Sequence, residues 1–391
     1  MNGTTTIPPR EAEAPRQERV LGSYETGRAG PLVLVLGAVH GNEPSGIIAA
    51  QRVLAKLQER GLELRGRFVA LVGNLEALRQ ERRFVHTDLN RMWTPEGVAR
   101  LRAQDSGFDT VEEAQQRELL AVIDGEIERA QGEVVFFDLH SSSAPGAPFT
   151  AINDTLQNRR FAVALPIPSL VGLEESVRGP VLEYVGERGH VAVAMEGGQH
   201  TDARTIDRHE AAIWITLVTA GALRRADVPS YDAHYAHLRS SARGLPGILE
   251  IVYRQALAPG DAFKMEPGFT NFSEVKHDRL LARDQRGDVR APRDGFLMLP
   301  LYQGQGEDGF FLGVEIRRFW LRLSAVLRRL RLDRFMHWLP GVRRDDEDPT
   351  ILRCDPRVAR WFAKELFHLF GYRKLASKNG DLGFRRRPDR F

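Results

Sequence analysis

Two residue types that bind metals stand three positions apart in the segment 32–43, which reads LVLVLGAVHGNE. His40 and Glu43 follow an apolar run of Leu and Val. The run predicts a buried strand, followed by a loop and a helix that begins near Pro44. From such a loop an imidazole and a carboxylate can face one point in space. Zn²⁺ binds both ligand types, so the loop is a candidate metal site that still needs a third ligand.

The candidate for the third ligand is His140, which ends the apolar run 134–140 and opens a Ser-rich turn. Asp138 lies two residues earlier, on the same side of an extended strand, where it could orient one of the imidazoles. His40, Glu43 and His140 together would leave a coordination position open for water, as catalytic zinc sites do. A single histidine at a strand end is more often an ordinary hydrogen-bonded residue. This alternative explains the three residues together less well than it explains one histidine alone.

A candidate general base closes another apolar run. Glu196 follows Val193, Ala194 and Met195 and precedes two glycines. A carboxylate beside a metal-bound water can take its proton and later pass the proton to a leaving amine. A helix cap or a turn residue is the alternative interpretation of a carboxylate in this position.

Candidates for substrate binding lie in the segment 82–91, which reads RRFVHTDLNR. Arg91 beside Asn90 offers a bidentate fork and an amide, which together suit a substrate carboxylate. Arg83 could polarise a carbonyl oxygen. Basic segments of this kind more often form solvent-exposed loops without a binding role, and this alternative stays open.

Strand-like and helical runs alternate over the first half of the chain. The strand-like runs are rich in Val, Leu and Phe, as strands buried on both faces are. This alternation predicts an α/β fold with a largely parallel or mixed sheet, and ligands in such folds lie at the carboxyl ends of the strands. The predicted strands are 32–38, 67–74, 134–140, 148–153 and 191–196, and the predicted helices are 44–60, 112–128 and 205–223.

Changes in composition and in the pattern of apolar residues divide the sequence into four predicted segments. Residues 1–25 are polar and predict a disordered arm, residues 26–228 predict an α/β domain that carries the candidate zinc site, and residues 229–316 predict a smaller β-rich domain.

Residues 317–391 predict a basic tail with two amphipathic helices. The first covers residues 319–332, and the second begins at Pro356, after the N-cap Asp355, and stops at Gly371. We expect these helices to pack on the body or on a second subunit, and contact with a membrane surface or with nucleic acid is the alternative.

Charge and composition narrow the class of protein. The tail carries 20 Lys and Arg against 9 Asp and Glu, or +11, which leaves −8 for the rest of a chain whose net charge is +3. The single cysteine, Cys354, excludes an intrachain disulfide and a thiolate-rich metal site, and it fits a reducing cytoplasm. We expect no secretory signal, since the N-terminal segment is polar, and no transmembrane span, since no run of 18 apolar residues exists.

Four short motifs together resemble one enzyme family. They are HGNE at 40–43, GNLEALRQERRFVHTDLNR at 73–91, DLHSS at 138–142, and the strand-end Glu196. Their order and spacing over residues 32–223 resemble the succinylglutamate desuccinylase/aspartoacylase family, a branch of the zinc carboxypeptidase-like hydrolases. The resemblance implies a zinc-carboxypeptidase-like mixed sheet flanked by helices, with a β-rich C-terminal domain that helps to close the site.

The resemblance also implies roles for individual residues. They are the zinc ligands His40, Glu43 and His140, the catalytic residues Glu196 and Arg83, and the substrate-binding residues Asn90 and Arg91. Two departures limit the comparison: Glu196 is followed by Gly-Gly-Gln-His instead of the Val-Gly typical of aspartoacylase, and the basic tail is an addition. The reaction class therefore transfers better than the substrate.

These observations predict a zinc-dependent hydrolase with one zinc per chain. It would cleave the amide of a small N-acyl amino acid or a similar carboxylate-bearing amide. The alternatives are a metallocarboxypeptidase that acts on peptides and a catalytically silent binding protein that holds an anionic partner with its tail. We expect a homo-oligomer and do not expect nucleic acid as a partner. The acyl group and the amine of the substrate cannot be read from the sequence.

Overall fold

A computed structural model describes residues 18–355, 357–358, 363–375 and 381–389. The helices within these ranges are α1 (Ser45–Arg60), α2 (Leu75–Arg79), α3 (Pro95–Ala103), α4 (Val111–Arg129), α5 (Leu156–Ala164), α6 (Val181–Glu187), α7 (Arg204–Thr219), α8 (Tyr231–Ser241), α9 (Arg318–Arg329) and α10 (Ala363–Leu369). None of the helices in the described ranges has the length and hydrophobicity needed to cross a lipid bilayer.

The strands of the same ranges are numbered in chain order. They are β1 (Val20–Glu25), β2 (Arg28–Gly37), β3 (Arg65–Val72), β4 (Val134–Ser142), β5 (Phe149–Ile152), β6 (Ser169–Val171), β7 (Val191–Gln199), β8 (Ile248–Ala256), β9 (Lys264–Met265), β10 (Ser273–Val275), β11 (Leu280–Asp284), β12 (Gly287–Arg290), β13 (Gly295–Met298), β14 (Asp308–Glu315), β15 (Val342–Arg344), β16 (Ile351–Cys354), β17 (Tyr372–Lys374) and β18 (Leu382–Arg386).

Eleven strands form one mixed sheet in the order β1-β3-β2-β4-β7-β5-β6-β8-β14-β13-β10. The neighbours β3, β2, β4 and β7 are parallel to one another. Their carboxyl ends therefore meet at one edge of the sheet, which is where open α/β sheets bind ligands. The predicted fold class, a central mixed sheet flanked by helices, is confirmed.

Strand β2 is buried on both faces because its side chains alternate between two hydrophobic cores. Val33 and Val35 belong to the core that includes residues of α1 and α7. Leu34 and Leu36 belong to the core on the other face, which includes residues of α4 and α6. A strand covered by helices on both faces carries a continuous apolar run without alternation, and this run was the first signal in the sequence.

The five strands and three helices predicted in the first half are all present, with ends shifted by a few residues. The segment predicted to be β-rich, residues 229–316, begins with the helix α8, which the sequence analysis did not predict. α8 contributes Leu238 to the same core as α1 and α7. A short helix with only one fully buried side chain gives a weak apolar pattern.

The prediction that residues 1–25 form a disordered arm is wrong for the end of that segment. Val20–Glu25 forms β1, which pairs antiparallel with β3 at the edge of the large sheet. Arg19 is also ordered, and its guanidinium donates to the carbonyl oxygens of Val72 and Gly73. This edge strand is held by backbone hydrogen bonds to β3. It was missed because the prediction used the polar composition of the N-terminal segment. Residues 1–17 lie outside the described residues.

The smaller β-rich part that was predicted C-terminal to the first half is present. Only β12, β11 and β9 form a separate sheet, whereas β8, β14, β13 and β10 continue the large one. The two parts are joined where β8 pairs parallel to β6. The boundaries at residues 228 and 316 therefore stay a prediction.

The tail contains α9 and α10 in the two regions predicted to be helical, but it is not only helical. Its remaining strands form an antiparallel sheet in the order β15-β16-β18-β17. The sequence analysis missed these strands because they are short and rich in Arg, which masks any apolar pattern. Residues 359–362, which were assigned to the second helix, and Pro356, its expected first residue, lie outside the described residues.

Buried ion pairs attach the tail to the first half of the chain. Arg328 of α9 has 0% of its surface exposed. It donates to the main-chain oxygen of Asp154 at 2.8 Å and to the Asp154 carboxylate at 3.0 Å. Burial lowers the pKa of Arg328 to about 10, and Asp154 opposes that shift. Arg387 similarly donates to Glu174 at 2.7 Å.

Replacing Arg328 by Ala should therefore leave buried Asp154 without one of its cationic partners. We expect the free energy of unfolding to fall by about 3–5 kcal/mol, as when one member of a buried ion pair is removed. Urea unfolding of the purified proteins measures the loss. Arg343→Ala is the control, because its pair with Asp381 is largely exposed and should contribute at most about 1 kcal/mol. Equal losses in the two variants would contradict the anchoring role of Arg328.

Candidate metal centre and active site

The loop between β2 and α1 carries His40 and Glu43, and its path depends on close backbone packing. Ala38, just after β2, has a positive φ of 52° and turns the chain away from the strand. Gly41 lies against α2, where an added Cβ would come within 2.1 Å of the carbonyl carbon of Ala77. Glycine is therefore required between the two candidate ligands, and α2 fixes where they stand.

His40, Glu43 and His140 are buried and meet at the carboxyl edge of the sheet. One ligand atom from each lies within 4.8 Å of the other two. The Nδ1 atom of His40 is 3.0 Å from Oε1 of Glu43, and the Nδ1 atom of His140 is 3.2 Å from Oε2. The structure thus brings together the three residues that the sequence analysis selected, and their role as ligands stays a prediction.

Each imidazole has a second carboxylate on its other nitrogen. Asp88 Oδ1 lies 3.1 Å from Nε2 of His40, and Asp138 Oδ2 lies 2.9 Å from Nε2 of His140. Asp138 lies on the same side of the strand as His140, as the sequence analysis predicted. Asp88 was not selected from the sequence. An ionised carboxylate only accepts hydrogen bonds, so Asp88 and Asp138 keep a proton on Nε2 of each ring. Nδ1 of each ring then either carries a second proton, which it donates to Glu43, or presents a lone pair to a cation.

Lone pairs that face carboxylate oxygens are unfavourable unless a proton or a cation lies between them. Burial opposes ionisation of Glu43, but His40 and His140 hold the pKa of its carboxyl well below its usual range. The main-chain N–H of Ser141 donates to the same carboxylate at 2.9 Å. Two imidazole nitrogens and an ionised carboxylate are the donor set of a catalytic zinc site. The residues present therefore fit Zn²⁺.

Glu196 lies on β7, directly across from His140 on β4. Its Oε2 atom is buried and has no hydrogen-bond partner among the described residues. Burial raises the pKa of Glu196 to about 8, and His140 opposes the shift while Glu43 adds to it. A buried carboxyl oxygen without a partner, beside a candidate metal site, is free to exchange a proton with a bound molecule.

Arg83 brings a positive charge to the candidate ligands. Its Nη2 atom donates to Asp88 at 3.0 Å, and its Nη1 atom lies 3.5 Å from Glu43. Asp88 and Glu43 hold the pKa of Arg83 above its usual range, against the effect of burial. The guanidinium lines the same pocket as Glu196, so it can face the oxygen of a bound carbonyl group.

Asn90 and Arg91 already have partners within the protein. The side-chain oxygen of Asn90 accepts a hydrogen bond from the N–H of Val181 at 2.9 Å. The Nη2 atom of Arg91 donates to Asp308 at 2.9 Å. The sequence analysis expected these two residues to be open to a substrate carboxylate, but Arg91 holds a carboxylate of the chain itself. A substrate carboxylate must therefore compete with Asp308 for this guanidinium.

The candidate ligands open into a pocket of about 170 Å³. Its floor is the face of the sheet that carries Asp138, His140, Ala194 and Glu196. Glu174, which pairs with Arg387 of the tail, also lines it. The apolar wall is formed by Phe149, Ala151, Leu173, Val177 and Phe311, and the loop before β14 adds Gln303, Glu307 and Asp308.

Two further histidines lie next to the site, and the sequence analysis did not select them. His209 is buried, which lowers its pKa to about 4, so it is neutral and donates from Nε2 to the main-chain oxygen of His140 at 3.0 Å. Gly197 makes room for it, since an added Cβ would lie 2.4 Å from that nitrogen. His200 instead contacts Ser141 Oγ at 2.8 Å and Gln303 at 3.3 Å.

The glycine pair after Glu196 was a signal for this arrangement, because a glycine in a buried strand often marks the close approach of another group. No comparable signal pointed to Gln303 or Asp308. Both lie more than 200 residues along the chain from the motifs they join.

Residues 29–210 match the domain family described as "Succinylglutamate desuccinylase/Aspartoacylase catalytic domain". This segment is similar to the catalytic domain of the succinylglutamate desuccinylase/aspartoacylase family. This confirms the resemblance seen in the four motifs. The family comprises deacylases that hydrolyse amides, and it covers the part of the chain that carries every candidate site residue.

Curated relatives match over shorter stretches. The chain is 39% identical over 61 residues to the succinylglutamate desuccinylase of Photorhabdus laumondii, which covers 16% of this chain and 19% of that protein. It is 29% identical over 110 residues to the succinylglutamate desuccinylase of Pseudomonas paraeruginosa, which covers 28% of this chain and 31% of that protein. The matches thus span less than a third of the length of these relatives.

Solved structures show the same fold over most of the chain. A succinylglutamate desuccinylase from Vibrio cholerae matches with a TM-score of 0.56 and 13% identity, over 75% of this chain and 83% of that one. The product-bound ectoine utilization protein of Ruegeria pomeroyi matches with a TM-score of 0.54 and 21% identity, over 75% and 87%. At these identities the likeness establishes the fold alone.

The pairing of Arg91 with Asp308 generates a testable prediction. Asp308→Asn keeps the shape of the side chain and removes the charge that occupies Arg91. We expect the dissociation constant of an N-acetyl amino acid to fall by at least about threefold, because a charge-assisted contact becomes available to the ligand. Isothermal titration calorimetry measures this.

The control is Glu307→Gln, since Glu307 is exposed and stands 3.7 Å from Nε of Arg91. It should change the dissociation constant less than about twofold, as exposed ion pairs contribute little. Weaker binding by Asp308→Asn would contradict competition and would indicate that Asp308 positions Arg91 for the ligand.

Proposed function

We propose that the protein is a zinc-dependent amidohydrolase. It cleaves the amide of a small N-acyl amino acid, or of a similar carboxylate-bearing amide, into a carboxylic acid and an amine. The observation that carries the proposal is that the unpartnered carboxyl oxygen of Glu196 shares one pocket with His40, Glu43 and His140. The match of residues 29–210 to a deacylase family supports it.

His40, Glu43 and His140 would hold the zinc ion, which is one per chain. When bound, Zn²⁺ supplies Lewis acidity toward a carbonyl oxygen and lowers the pKa of water. Asp88 and Asp138 fix the proton of each imidazole on Nε2, so both Nδ1 atoms remain directed at the site. Because the rings are held from behind, they need little reorganisation to bind the ion.

Glu196 acts as the general base and then as the general acid. Its free Oε2 takes a proton from the water that attacks the amide carbonyl, and it returns that proton to the nitrogen of the leaving amine. Without a metal ion, burial raises the pKa of Glu196 to about 8. A cation at the neighbouring ligands favours the ionised carboxylate, which is the form that accepts a proton.

Arg83 and Arg91 have different tasks in this proposal. Arg83 stands beside the ligands and stabilises the negative charge that develops on the carbonyl oxygen. Arg91, with Asn90 next to it, receives the substrate carboxylate once Asp308 releases the guanidinium. Binding of the carboxylate at Arg91 places the amide near Glu196, so remote binding energy assists the reacting group.

A pocket of about 170 Å³ admits a small molecule or the terminal residue of a peptide. A metallocarboxypeptidase remains the alternative within the same chemistry, and a catalytically silent binding protein is the alternative outside it. A panel of N-acyl amino acids and short peptides separates these candidates. Hydrolysis of peptides alone favours the carboxypeptidase, and zinc binding without turnover of any amide favours the binding protein. A cytoplasmic location and a homo-oligomeric state remain predictions.

The role of Glu196 is tested by Glu196→Gln, which keeps the shape of the side chain but cannot take a proton. We expect kcat to fall by about 10²–10⁴-fold, while KM changes little and zinc stays bound. Steady-state kinetics on the best amide of the panel gives both constants. Glu307→Gln is the control and should retain its kcat, because Glu307 is exposed at the rim. A wild-type kcat in Glu196→Gln would show that the base is another group.

The role of His140 is tested by the metal content of the purified protein. Wild type should hold about one zinc per chain, and His140→Ala should lose it, because two ligands bind the ion too weakly. His200→Ala is the matched control, since His200 is a nearby histidine with other partners. Elemental analysis after dialysis reports the content. Full zinc in His140→Ala, or equal loss in both variants, would contradict the proposed ligand set.

A further inference from the structure

An exposed apolar surface lies on the tail, far in sequence from the active site. On α9 the exposed fractions are 65% for Phe319, 51% for Trp320, 52% for Val326 and 61% for Leu330. The turn that follows, Leu332–Trp338, exposes Phe335 at 43% and Trp338 at 72%. We call these six residues the outer apolar face. Several large apolar side chains exposed within one short segment are a feature of interaction sites.

The outer apolar face points away from the protein because α9 packs by its polar side. Ser324 and Arg328 of this helix are buried. Arg159 donates to Ser324 Oγ at 3.2 Å, and Arg328 donates to Asp154 at 3.0 Å. At 3.6 residues per turn, Ser324 and Arg328 lie opposite the stripe formed by Phe319, Val326 and Leu330. The helix cannot turn this stripe inward without separating Arg328 from Asp154.

Arginines are frequent in the segment that carries the outer apolar face. Residues 317–344 include nine arginines and a single acidic residue, Asp333. Asp333 is buried and pairs with Arg386 at 3.0 Å, so it does not offset the charge at the surface. The exposed arginines next to the face are Arg322, Arg329, Arg331 and Arg334.

The aromatic residues of the face occur in two contacting pairs. The ring centroids of Phe319 and Trp320 are 5.3 Å apart, and those of Phe335 and Trp338 are 5.0 Å apart. Trp is favoured at the boundary between lipid headgroups and acyl chains, because its ring is apolar and its N–H is polar. Arg at the flanks of such a face can reach the headgroup phosphates.

We propose that the outer apolar face binds the surface of an anionic phospholipid bilayer. The apolar stripe of α9 with arginines at its flank has the pattern of helices that lie in the plane of a membrane interface. The apolar residues would enter the headgroup region, and the arginines would pair with anionic lipids. The buried pair of Arg328 and Asp154 would keep the catalytic half fixed relative to the membrane.

The charge of this surface argues against a second copy of the chain as the occupant. Two copies joined by this face across a two-fold axis would place the same arginines against each other. Like charges that face each other across an interface cost several kcal/mol. An anionic bilayer offers both an apolar layer for the aromatic residues and negative charge for the arginines.

The experiment is co-sedimentation of the full chain with lipid vesicles. One set contains only phosphatidylcholine, and the other contains about 30% phosphatidylglycerol in phosphatidylcholine. We expect binding to the anionic vesicles, release at high salt, and at least tenfold weaker binding to the neutral vesicles. The double variant Trp320→Ser, Trp338→Ser should weaken anionic binding by about tenfold or more.

The control variant is Phe108→Ser, which removes a large side chain that is 80% exposed on another part of the surface. It should bind anionic vesicles as wild type does. Circular dichroism and thermal unfolding check that all variants are folded, and Arg329→Glu provides a second, charge-reversing variant should the double variant fail to fold. The test does not depend on hydrolysis, so it is independent of the proposed function.

Several results would overturn the proposal. Equal binding to neutral and anionic vesicles, or no binding to either, would contradict it. Anionic binding that persists in both the double variant and Arg329→Glu would place the contact elsewhere. A dimer by light scattering that the double variant loses, without vesicle binding by wild type, would assign the face to a second copy of the chain.

Discussion

The carboxylate of Glu43 lies between two imidazoles, and the candidate active site depends on keeping these three buried groups together. Burial alone would favour a neutral Glu43, yet His40 and His140 hold it ionised. Asp88 and Asp138 hold the rings from behind, which directs both Nδ1 atoms at the same carboxylate. Such a concentration of acceptors is stable only with a cation or extra protons among them. This requirement is the physical reason to infer a metal centre.

The mixed sheet brings the three candidate ligands and Glu196 together. Because β2, β4 and β7 are parallel neighbours, the loop after β2 and the ends of β4 and β7 meet at one edge. The β-rich part continues the same sheet and brings Asp308 to Arg91. The wall of the pocket therefore comes from segments far apart in the chain, and the tail reaches it through the pair of Arg387 and Glu174. Substrate choice should depend on this wall more than on the ligand cluster.

The sequence predicted the features that follow from local periodicity. The apolar runs before His40, His140 and Glu196 placed all three at one edge of the sheet, and the period of two along β4 placed Asp138 behind His140. Asp88 was not found, because its loop does not show which histidine it faces. Contacts such as Arg91 with Asp308 join residues 217 positions apart, and no local pattern encodes them. The short tail strands were missed because their many arginines hide the burial of their few apolar residues.

The central claim is that His40, Glu43 and His140 hold a single zinc ion. Anomalous diffraction from a crystal of the zinc-loaded protein, measured on either side of the zinc absorption edge, locates the ion directly. The account predicts one strong peak within about 2.0–2.2 Å of the Nδ1 atoms of both histidines and of a Glu43 oxygen. A peak at any other group of residues, or no peak at these three in a crystal that contains zinc, would contradict it.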